Sequence, residues 1–398
     1  MVKEPADGNG SRGYQPHLLA YYYPGFHYDP VLHPGLPEGW SEWELVRRAR
    51  PFFLGHRQPR RPAWGFQDES DPDVLANKLA VAGAHGIDGL ISIIYSYGSA
   101  TPGLSVLRRA LDEVRQGTTR VAAMWANHRR YWCYPETEDT PGRVYLTVGY
   151  RPGQLRRLID EWCETIFAHP GYYRSPDGLP LFVLYSPQAF TDGAGSPDAL
   201  ARFVDMLRDR AQRTGLPGLH VHASSATYLR NTDPLRAGFD SCSDYLALGY
   251  SEDTLGYKPG NSEISLHGHL IVPIEMNRRL AVVADRFRTL AARMPVPYLP
   301  AVTVGRDCTP RVRKLGHRRI GHYSSRPVIL EDIGTLGPAA LSTAIDFLDE
   351  ARPPVPMVFL NAWNEWTEGA YLEPDTEYGL WPLTEIGRIW RTAWTSAL

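Results

Sequence analysis

Cysteine, lysine and long apolar runs are scarce in this sequence. Its 398 residues include four cysteines, whose spacing forms neither a C-x-x-C pair nor a zinc-binding pattern. We therefore predict four buried free thiols, at Cys133, Cys163, Cys242 and Cys308. The first residues lack the apolar core of a signal peptide, so we expect a cytoplasmic protein.

The charge balance argues against a polyanionic partner. Lys and Arg together number 42 against 44 Asp and Glu, which gives a net charge of -2 and no long-range field that attracts nucleic acid. Nearly all the basic residues are arginine, and lysine is confined to four positions, Lys3, Lys78, Lys258 and Lys314. Because the charges balance, we predict no nucleic-acid site. No run of 18 apolar residues occurs, so we also predict no membrane span.

Short apolar or β-branched runs alternate with longer helix-compatible stretches, a pattern typical of α/β folds with a parallel sheet. Helical patterns cover 71–86, 153–172 and 196–215. The strand-like runs lie at residues 17–24, 86–98, 120–127, 179–187, 219–226, 243–250, 295–305 and 355–363. Eight strands in a chain of this size predict a single-domain (β/α)8 TIM barrel over residues 17–398, after a flexible tail of residues 1–16. An open doubly wound sheet is the alternative, but no nucleotide-binding glycine motif supports it.

The predicted strands end in aromatic and polar residues. Because the carboxyl ends of barrel strands share one face, these side chains are expected to surround one mouth. Aromatic rings stack on the apolar faces of sugars, and amides and carboxylates bind sugar hydroxyls, so we predict a carbohydrate site. Each aromatic taken alone is equally compatible with a core position. His220 and His222 share a strand face without a third ligand, so no metal site is predicted.

A buried run at 355–360 passes abruptly into NAWNEWTEG, which we interpret as the exit of the last strand onto the active face. Glu365 and Glu368 lie three residues apart there, and a turn-like exit would direct both carboxyls to one side. Most glycoside hydrolases use a pair of carboxyl side chains to cleave the glycosidic bond. A solvated acidic loop is the alternative, but Trp363, Trp366 and Tyr371 are interleaved with the acids and argue against it.

Four segments resemble the WbsX-like group of glycoside hydrolase family 99-like proteins: LAYYYPGFH, MWANHRRYW, GRDCTPR and FLNAWNEWTEGAYLEPDTEYG. The resemblance runs in order from about Leu18 to about Ile386. The resemblance implies a (β/α)8 barrel and the retaining reaction of endo-acting α-mannosidases. In that reaction Glu365 would deprotonate the substrate 2-hydroxyl, which attacks its own anomeric carbon, and Glu368 would be the general acid and then the base. The candidate substrate-binding residues are Tyr23, His27, Trp43, Tyr95, Trp125, Asn127, Asp307, Arg311, Trp363, Asn364, Trp366 and Tyr371.

This assignment of roles requires a particular protonation state of Glu368. A general acid must be protonated near neutral pH, so we expect the pKa of Glu368 to be raised by burial or by the neighbouring charge of Glu365. No cofactor is implied by the resemblance or by any motif.

Several positions depart from the pattern of the resemblance. Thr367 stands where the endo-mannosidases usually have histidine, and Gly25 where the WbsX-like group usually has glutamine. Arg306 and Cys308 replace a common tryptophan and asparagine. These departures put mannose specificity in question and suggest a remodelled pocket.

Two other functions stay open at this stage. A glycosyltransferase or transglycosylase would need a donor site, and no DxD triplet or nucleotide-binding loop supports one. A non-catalytic sugar-binding protein would not need a second carboxylate. The arginine-rich segment 47–62 could bind an anionic substrate group, although we favour a solvated surface for it.

Overall fold

The computed structural model describes residues 14–51, 54–135, 143–225, 229–245, 264–266, 269–271, 276–311 and 333–395. Its main sheet has eight parallel strands, β1 (His17–Tyr22), β2 (Gly89–Ile94), β3 (Arg120–Trp125), β4 (Leu181–Leu184), β5 (His220–Ala223), β6 (Ser241–Cys242), β7 (Ala301–Thr303) and β8 (Met357–Asn361). Each strand pairs with its neighbour in sequence from β1 to β6, and β8 pairs with both β1 and β7.

The remaining gap, between β6 and β7, is closed by the segment before β7. Cys242 forms a parallel bridge with Tyr298, and its amide donates to the carbonyl of Pro297 at 2.9 Å. The amide of Leu299 donates in turn to the carbonyl of Cys242 at 2.8 Å. The sheet therefore closes on itself, and the fold is the predicted (β/α)8 barrel.

The described residues form nine α-helices, of which the first contacts the loops that follow β7 and β8. These helices are α1 (Trp43–Arg48), α2 (Pro72–Ala84), α3 (Leu104–Glu113), α4 (Pro152–Thr165), α5 (Pro187–Ala194), α6 (Pro197–Arg213), α7 (Met276–Arg293), α8 (Ile333–Ala351) and α9 (Trp381–Thr395). The three predicted helices are found as α2, α4 and α6, although α4 ends at Thr165, before the predicted end at residue 172. Asp71 and Ser196 cap α2 and α6 by accepting from backbone amides at 2.9 and 3.2 Å, with proline at the first helical position in both.

Seven of the eight predicted strand segments contain a barrel strand. The exception is the sixth, because β6 lies at Ser241–Cys242, just before the predicted segment 243–250. This strand is two residues long and begins with a serine, so an apolar run could not mark it; residues 246–250 lie outside the described residues. Residues 1–13 of the predicted tail also lie outside them, and the hydroxyl of Tyr14 donates to the carbonyl of Leu348 at 3.2 Å.

The barrel interior contains the two strand histidines. His220 and His222 point to the same side of β5, as their alternation predicts, and a ring nitrogen of each lies 2.8 Å from the hydroxyl of Ser241. The other nitrogens lie 3.0 Å from Asp177 and 2.8 Å from Ser243. Both histidines are therefore satisfied by hydrogen bonds.

Two further predictions concern cysteines and membrane spans. All four cysteines are buried free thiols, as predicted. Among the helices that the structure describes, none has both the length and the apolar character needed to cross a membrane.

Candidate functional site

A cavity of about 610 Å³ lies at the carboxyl ends of the barrel strands. Its wall combines tyrosines with charged side chains from several strand ends. Among the lining residues are Tyr23, Tyr95, Asn127, His128, Arg130, Tyr185, Tyr245, Arg311, Glu365 and Glu368. The predicted catalytic pair therefore lies at one aromatic-walled cavity on the expected face.

The chain leaves β8 along a path fixed by backbone contacts. The amide of Trp363 donates to the carbonyl of Tyr21 at 2.7 Å. The side chain of Asn364 accepts from the amide of Tyr23 at 2.7 Å and donates to its carbonyl at 2.8 Å. Asn364 thus ties the exit of β8 to the exit of β1, directly before Glu365.

A tight turn then brings the two glutamates to the cavity. Residues Asn364–Glu365 and Ala370–Tyr371 pair as antiparallel strands around a 3₁₀ turn, Trp366–Glu368. Gly369 closes this turn with φ +64°, and a Cβ there would lie 2.7 Å from the backbone nitrogen of Asp307. Glycine is required here both for the left-handed backbone and for the close approach of the β7 loop.

The carboxyl of Glu365 is buried and poorly solvated. Its side chain is 7 % exposed, and within the described part of the chain its Oε2 has no hydrogen-bond partner. The nearest guanidinium nitrogen of Arg311 lies 3.8 Å from that oxygen. Burial, reinforced by the charge of Glu368, raises the pKa of Glu365 to about 8.

The carboxyl of Glu368 has a different environment, because two arginines bind it. Arg311 Nη1 donates to Oε1 at 2.9 Å, and Arg306 Nη1 donates to Oε2. Paired guanidiniums stabilise the ionised form of a carboxyl. We expected a raised pKa at Glu368 without taking Arg306 into account, and that expectation stays a prediction, while the pKa of Glu365 is raised.

A third carboxylate, Glu42, lies beside the pair and was missed by the sequence analysis. It is fully buried, accepts from the hydroxyl of Tyr23 at 2.5 Å and from Thr367 at 2.9 Å, and binds Arg311 at 3.2 Å. Burial opposes its ionisation, but Arg311 and Arg130 lower its pKa below the usual value. The available signal was a single acid between two tryptophans at positions 40 and 43.

Arg130 was missed as well, although it belongs to a segment that carries the resemblance. Its guanidinium donates to the hydroxyls of Tyr134 and, at 3.1 Å, of Tyr145, and lies 4.9 Å from the ring centre of Tyr95. His128 lines the cavity beside it, and burial lowers the pKa of His128 to about 4. The histidine is therefore neutral at physiological pH.

A second buried charge cluster lies next to the turn Trp366–Glu368. It consists of Lys78, Glu69 and Glu373, and we call it the Lys78 cluster. Lys78 binds both carboxylates, at 2.6 Å from Glu373. Glu373 accepts from the indole of Trp366 at 2.7 Å, and Glu69 accepts from Asn364 at 3.3 Å. The cluster therefore holds the turn from its inner side.

Six of the predicted site residues line the cavity. They are Tyr23, Tyr95, Asn127, Arg311, Glu365 and Glu368. Asn127 is fixed by reciprocal bonds to the backbone of Ser186, both at 2.8 Å, and the carbonyl of Asn127 accepts from the hydroxyl of Tyr150 at 2.8 Å.

The structure places the other candidates around the site and not in the cavity wall. Trp43 is buried, donates to the carbonyl of Gln67 at 2.6 Å and packs on Phe26. Trp125 is also buried and donates to Ser96 at 3.1 Å. His27 Nδ1 lies 2.7 Å from the carbonyl oxygen of Pro24. These three side chains are in positions that support the surrounding structure.

Asp307 is a loop anchor. Its carboxylate accepts from Gln58 at 2.7 Å and from Thr309 at 2.6 Å, and lies 3.0 Å from His56 Nε2. Burial alone would raise its pKa, but these hydrogen bonds and the charge of His56 lower it. The remaining candidates, Trp363, Asn364, Trp366 and Tyr371, belong to the turn itself, where the rings of Trp366 and Tyr371 stack 3.7 Å apart.

The arginine-rich segment 47–62 contains exposed arginines as well as buried side chains that contact Asp307. The side chains of Arg47 and Arg57 are each 43 % exposed and pair with Glu44 and Glu377. His56 and Gln58 from the same segment are buried against Asp307. Arg47 and Arg57 agree with the solvated surface that we favoured, whereas Arg60 is partly buried and donates to the hydroxyl of Tyr371 at 3.3 Å.

Fold and site together define a barrel of the kind found in glycoside hydrolases. A solved structure of the GH99 endo-α-mannosidase from Bacteroides thetaiotaomicron superimposes with a TM-score of 0.58 at 16 % identity, covering 96 % of this chain and 99 % of that chain. A second structure, described as a glycoside hydrolase-like protein, gives 0.58 at 14 % identity, covering 98 % and 97 %.

The sequence itself identifies the family. Residues 18–386 match the family model described as glycosyltransferase WbsX, and the chain belongs to that family. A curated relative, the uncharacterized protein WxcX of Xanthomonas campestris pv. campestris, is 26 % identical over 368 residues, which is 91 % of this chain. The match covers 48 % of the relative, so the chain spans about half the length of that protein.

Proposed function

We propose that this protein is a retaining glycoside hydrolase that cleaves a glycan or glycoconjugate in the cavity of the barrel. Its catalytic carboxyls are Glu365 and Glu368. The observation that carries the proposal is the environment of this pair: both carboxyls line one tyrosine-walled cavity, and their surroundings favour opposite protonation states.

Opposite protonation is what glycosidic cleavage requires. One protonated carboxyl supplies the proton for the departing oxygen, while an ionised one assists bond formation at the anomeric carbon. A site that only binds sugar gains nothing from two buried acids, because each costs free energy to desolvate. The tyrosines Tyr23, Tyr95, Tyr185 and Tyr245 supply aromatic faces and hydroxyls for a sugar.

The substrate class follows in part from the similar structures. The Bacteroides protein is an endo-α-mannosidase, so α-mannosides belong in the first set of substrates. Thr367 occupies the position where the resemblance expects histidine, and its hydroxyl is bonded to Glu42 and Arg311. We therefore propose a sugar related to mannose in shape, with a subsite remodelled around Thr367.

The test is release of reducing sugar from a panel of natural and aryl glycosides, α-mannosides included. Wild type is compared with Glu365→Gln and Glu368→Gln, which keep the side-chain volume. Glu377→Gln is the matched control, since Glu377 is half exposed on the same C-terminal segment and outside the cavity wall. We expect activity in wild type and control and its loss in both cavity variants; a wild type silent on the whole panel contradicts the proposal.

Glycosyl transfer is the second candidate, and the family description favours it. The same carboxyl pair serves transfer when an acceptor hydroxyl replaces water in the second half of a retaining reaction. The panel should therefore be repeated with an activated glycosyl donor and sugar acceptors. Transfer product without hydrolysis would make the protein a transferase that uses the same two residues.

A further inference from the structure

We infer that Glu365 is the general acid and Glu368 the ionised partner, the reverse of the roles that the family resemblance implies, and that Arg306 fixes this assignment. The inference rests on the proposed hydrolase function. It makes Glu365 and Glu368 catalytic residues with defined roles and makes Arg306 a positioning residue for Glu368.

The geometry at Glu368 favours its ionised form. Both of its carboxyl oxygens accept from guanidiniums, one from Arg306 and one from Arg311 at 2.9 Å. A protonated carboxyl would need to give up one of these charge-assisted bonds, because the proton occupies an oxygen that now accepts. Glu368 is therefore a poor proton donor and a stable carboxylate.

The surroundings of Glu365 differ from those of Glu368 and favour its protonated form. Glu365 lines the cavity, and its Oε2 is buried and accepts no hydrogen bond from the described residues. In the described part of the site, an ionised oxygen in that position would have only the guanidinium of Arg311, at 3.8 Å, to offset its burial, whereas a protonated one can donate to a substrate oxygen. Burial also raises the pKa of this carboxyl, which agrees with the geometry.

Arg306 is held firmly enough to impose the assignment. Its neighbour Asp307 is anchored by four side-chain and backbone contacts, and the amide of Asp307 donates to the carbonyl of Glu368 itself at 2.6 Å. Arg306 is 3 % exposed, so its guanidinium stays against Glu368 with little screening by solvent. A tryptophan at this position, as is common in the family, would bring no charge to Glu368.

With these roles the reaction has two halves. Ionised Glu368 takes the proton of the substrate 2-hydroxyl, whose oxygen forms a bond to the anomeric carbon. The bond from that carbon to the departing oxygen breaks, and the departing oxygen keeps the electron pair and takes the proton of Glu365. In the second half, Glu365 removes a proton from water and the water oxygen bonds to the anomeric carbon. The bond from that carbon to the 2-oxygen breaks, and the 2-oxygen keeps the electron pair and takes back the proton held by Glu368.

Leaving-group dependence identifies the acid. A glycoside whose departing group is a dinitrophenolate needs no proton, whereas an alkyl glycoside does. General acid catalysis contributes about 10²- to 10⁴-fold. For Glu365→Gln we expect a loss of that order, about 10²- to 10⁴-fold, in kcat/KM on alkyl glycosides and less than about tenfold on dinitrophenyl glycosides. For Glu368→Gln we expect a similar large loss on both.

A pH profile alone would not decide between the roles, because a bell-shaped curve has the same form under either assignment. It does test Arg306. An arginine neighbour lowers a carboxyl pKa by about 1–3 units, so Arg306→Met should move the acidic limb of kcat/KM upward by about that amount. Arg288→Met is the control, since Arg288 is half exposed and pairs with Glu350 outside the cavity.

Each outcome is decisive. Recovery of Glu368→Gln, and not of Glu365→Gln, on dinitrophenyl glycosides overturns the role assignment while leaving the hydrolase proposal intact. An unmoved acidic limb in Arg306→Met overturns the part given to Arg306. A wild type that cleaves no glycoside overturns the proposed function and this inference with it. Circular dichroism of all variants shows whether a loss reflects chemistry or unfolding.

Discussion

Replacing Lys78 tests how much the Lys78 cluster stabilises the fold around the turn Trp366–Glu368. The side chain of Lys78 is 1 % exposed and contacts Glu69 and Glu373, whose side chains are 0 % and 4 % exposed. Replacing it by methionine keeps most of the volume and leaves two carboxylates buried without their cation. Such a change costs about 3–5 kcal/mol, because the remaining charge is uncompensated.

The cost converts into a melting temperature. An unfolding entropy of about 2.1 cal/mol/K per residue gives about 0.8 kcal/mol/K for a chain of this length. Lys78→Met should therefore lower Tm by about 4–6 °C. As a control, Arg213→Met breaks an exposed pair with Asp209, in which the side chains are 70 % and 56 % exposed, and should move Tm by no more than about 1 °C.

The pH dependence gives the sign of the effect. Burial raises the pKa of Glu373 while Lys78 lowers it, so removing Lys78 lets Glu373 take up a proton at higher pH. The deficit of Lys78→Met should thus be largest at pH 7.5 and shrink towards pH 5, as followed by circular dichroism. Adding Glu373→Gln should recover part of it at pH 7.5. A deficit no larger than that of the surface control would refute the reasoning.

Two further predictions concern the cavity. Since the folded pKa of Glu365 is raised to about 8, the folded state binds the extra proton, and wild-type stability falls as pH rises from the ordinary glutamate pKa to about 8. Glu365→Gln should therefore gain Tm over wild type across that range; a pH-independent difference contradicts the shift. Thr367→Val removes a donor to Glu42 and an acceptor for Arg311, and should cost about 1–3 kcal/mol in urea unfolding and lower kcat, whereas Thr367→Ser should restore both.

Much of the fold was predictable because barrel strands are short, apolar and separated by capped helices. The same signal fails at β6, where two residues, one of them a serine bonded to both strand histidines, form the strand. Periodicity reports burial of apolar side chains, so a polar strand inside the barrel carries no such mark.

The position of Glu365 and Glu368 at one cavity was predictable from their local motif, but their electrostatic surroundings were not. Glu42, Arg130 and Arg306 lie far from Glu365 in the sequence, and no spacing rule brings them together. Aromatic residues near strand ends were overassigned to substrate contact, since Trp125 shows the same local pattern as a lining residue yet packs in the core.

The departures from the family pattern have a common physical meaning. Gly25 makes room for the ring of Tyr23, since a Cβ there would lie 2.2 Å from that ring, and Tyr23 donates to Glu42. Thr367 donates to the same carboxylate, and Arg306 binds Glu368. Three substitutions that look unrelated in the sequence therefore meet in one charge network.

That network explains how buried acids can exchange protons at low cost. The described part of the site contains three buried carboxyls and three buried guanidiniums, belonging to Glu42, Glu365, Glu368, Arg130, Arg306 and Arg311. With Glu365 protonated, the six groups carry one net positive charge. Under the roles proposed here, Glu365 releases its proton to the departing oxygen and Glu368 accepts one, which leaves the total unchanged. Because no net charge is created in the low-dielectric interior, proton movement does not incur the cost of burying a new ion, and fixed guanidiniums can stabilise charge as it shifts between the two carboxyls.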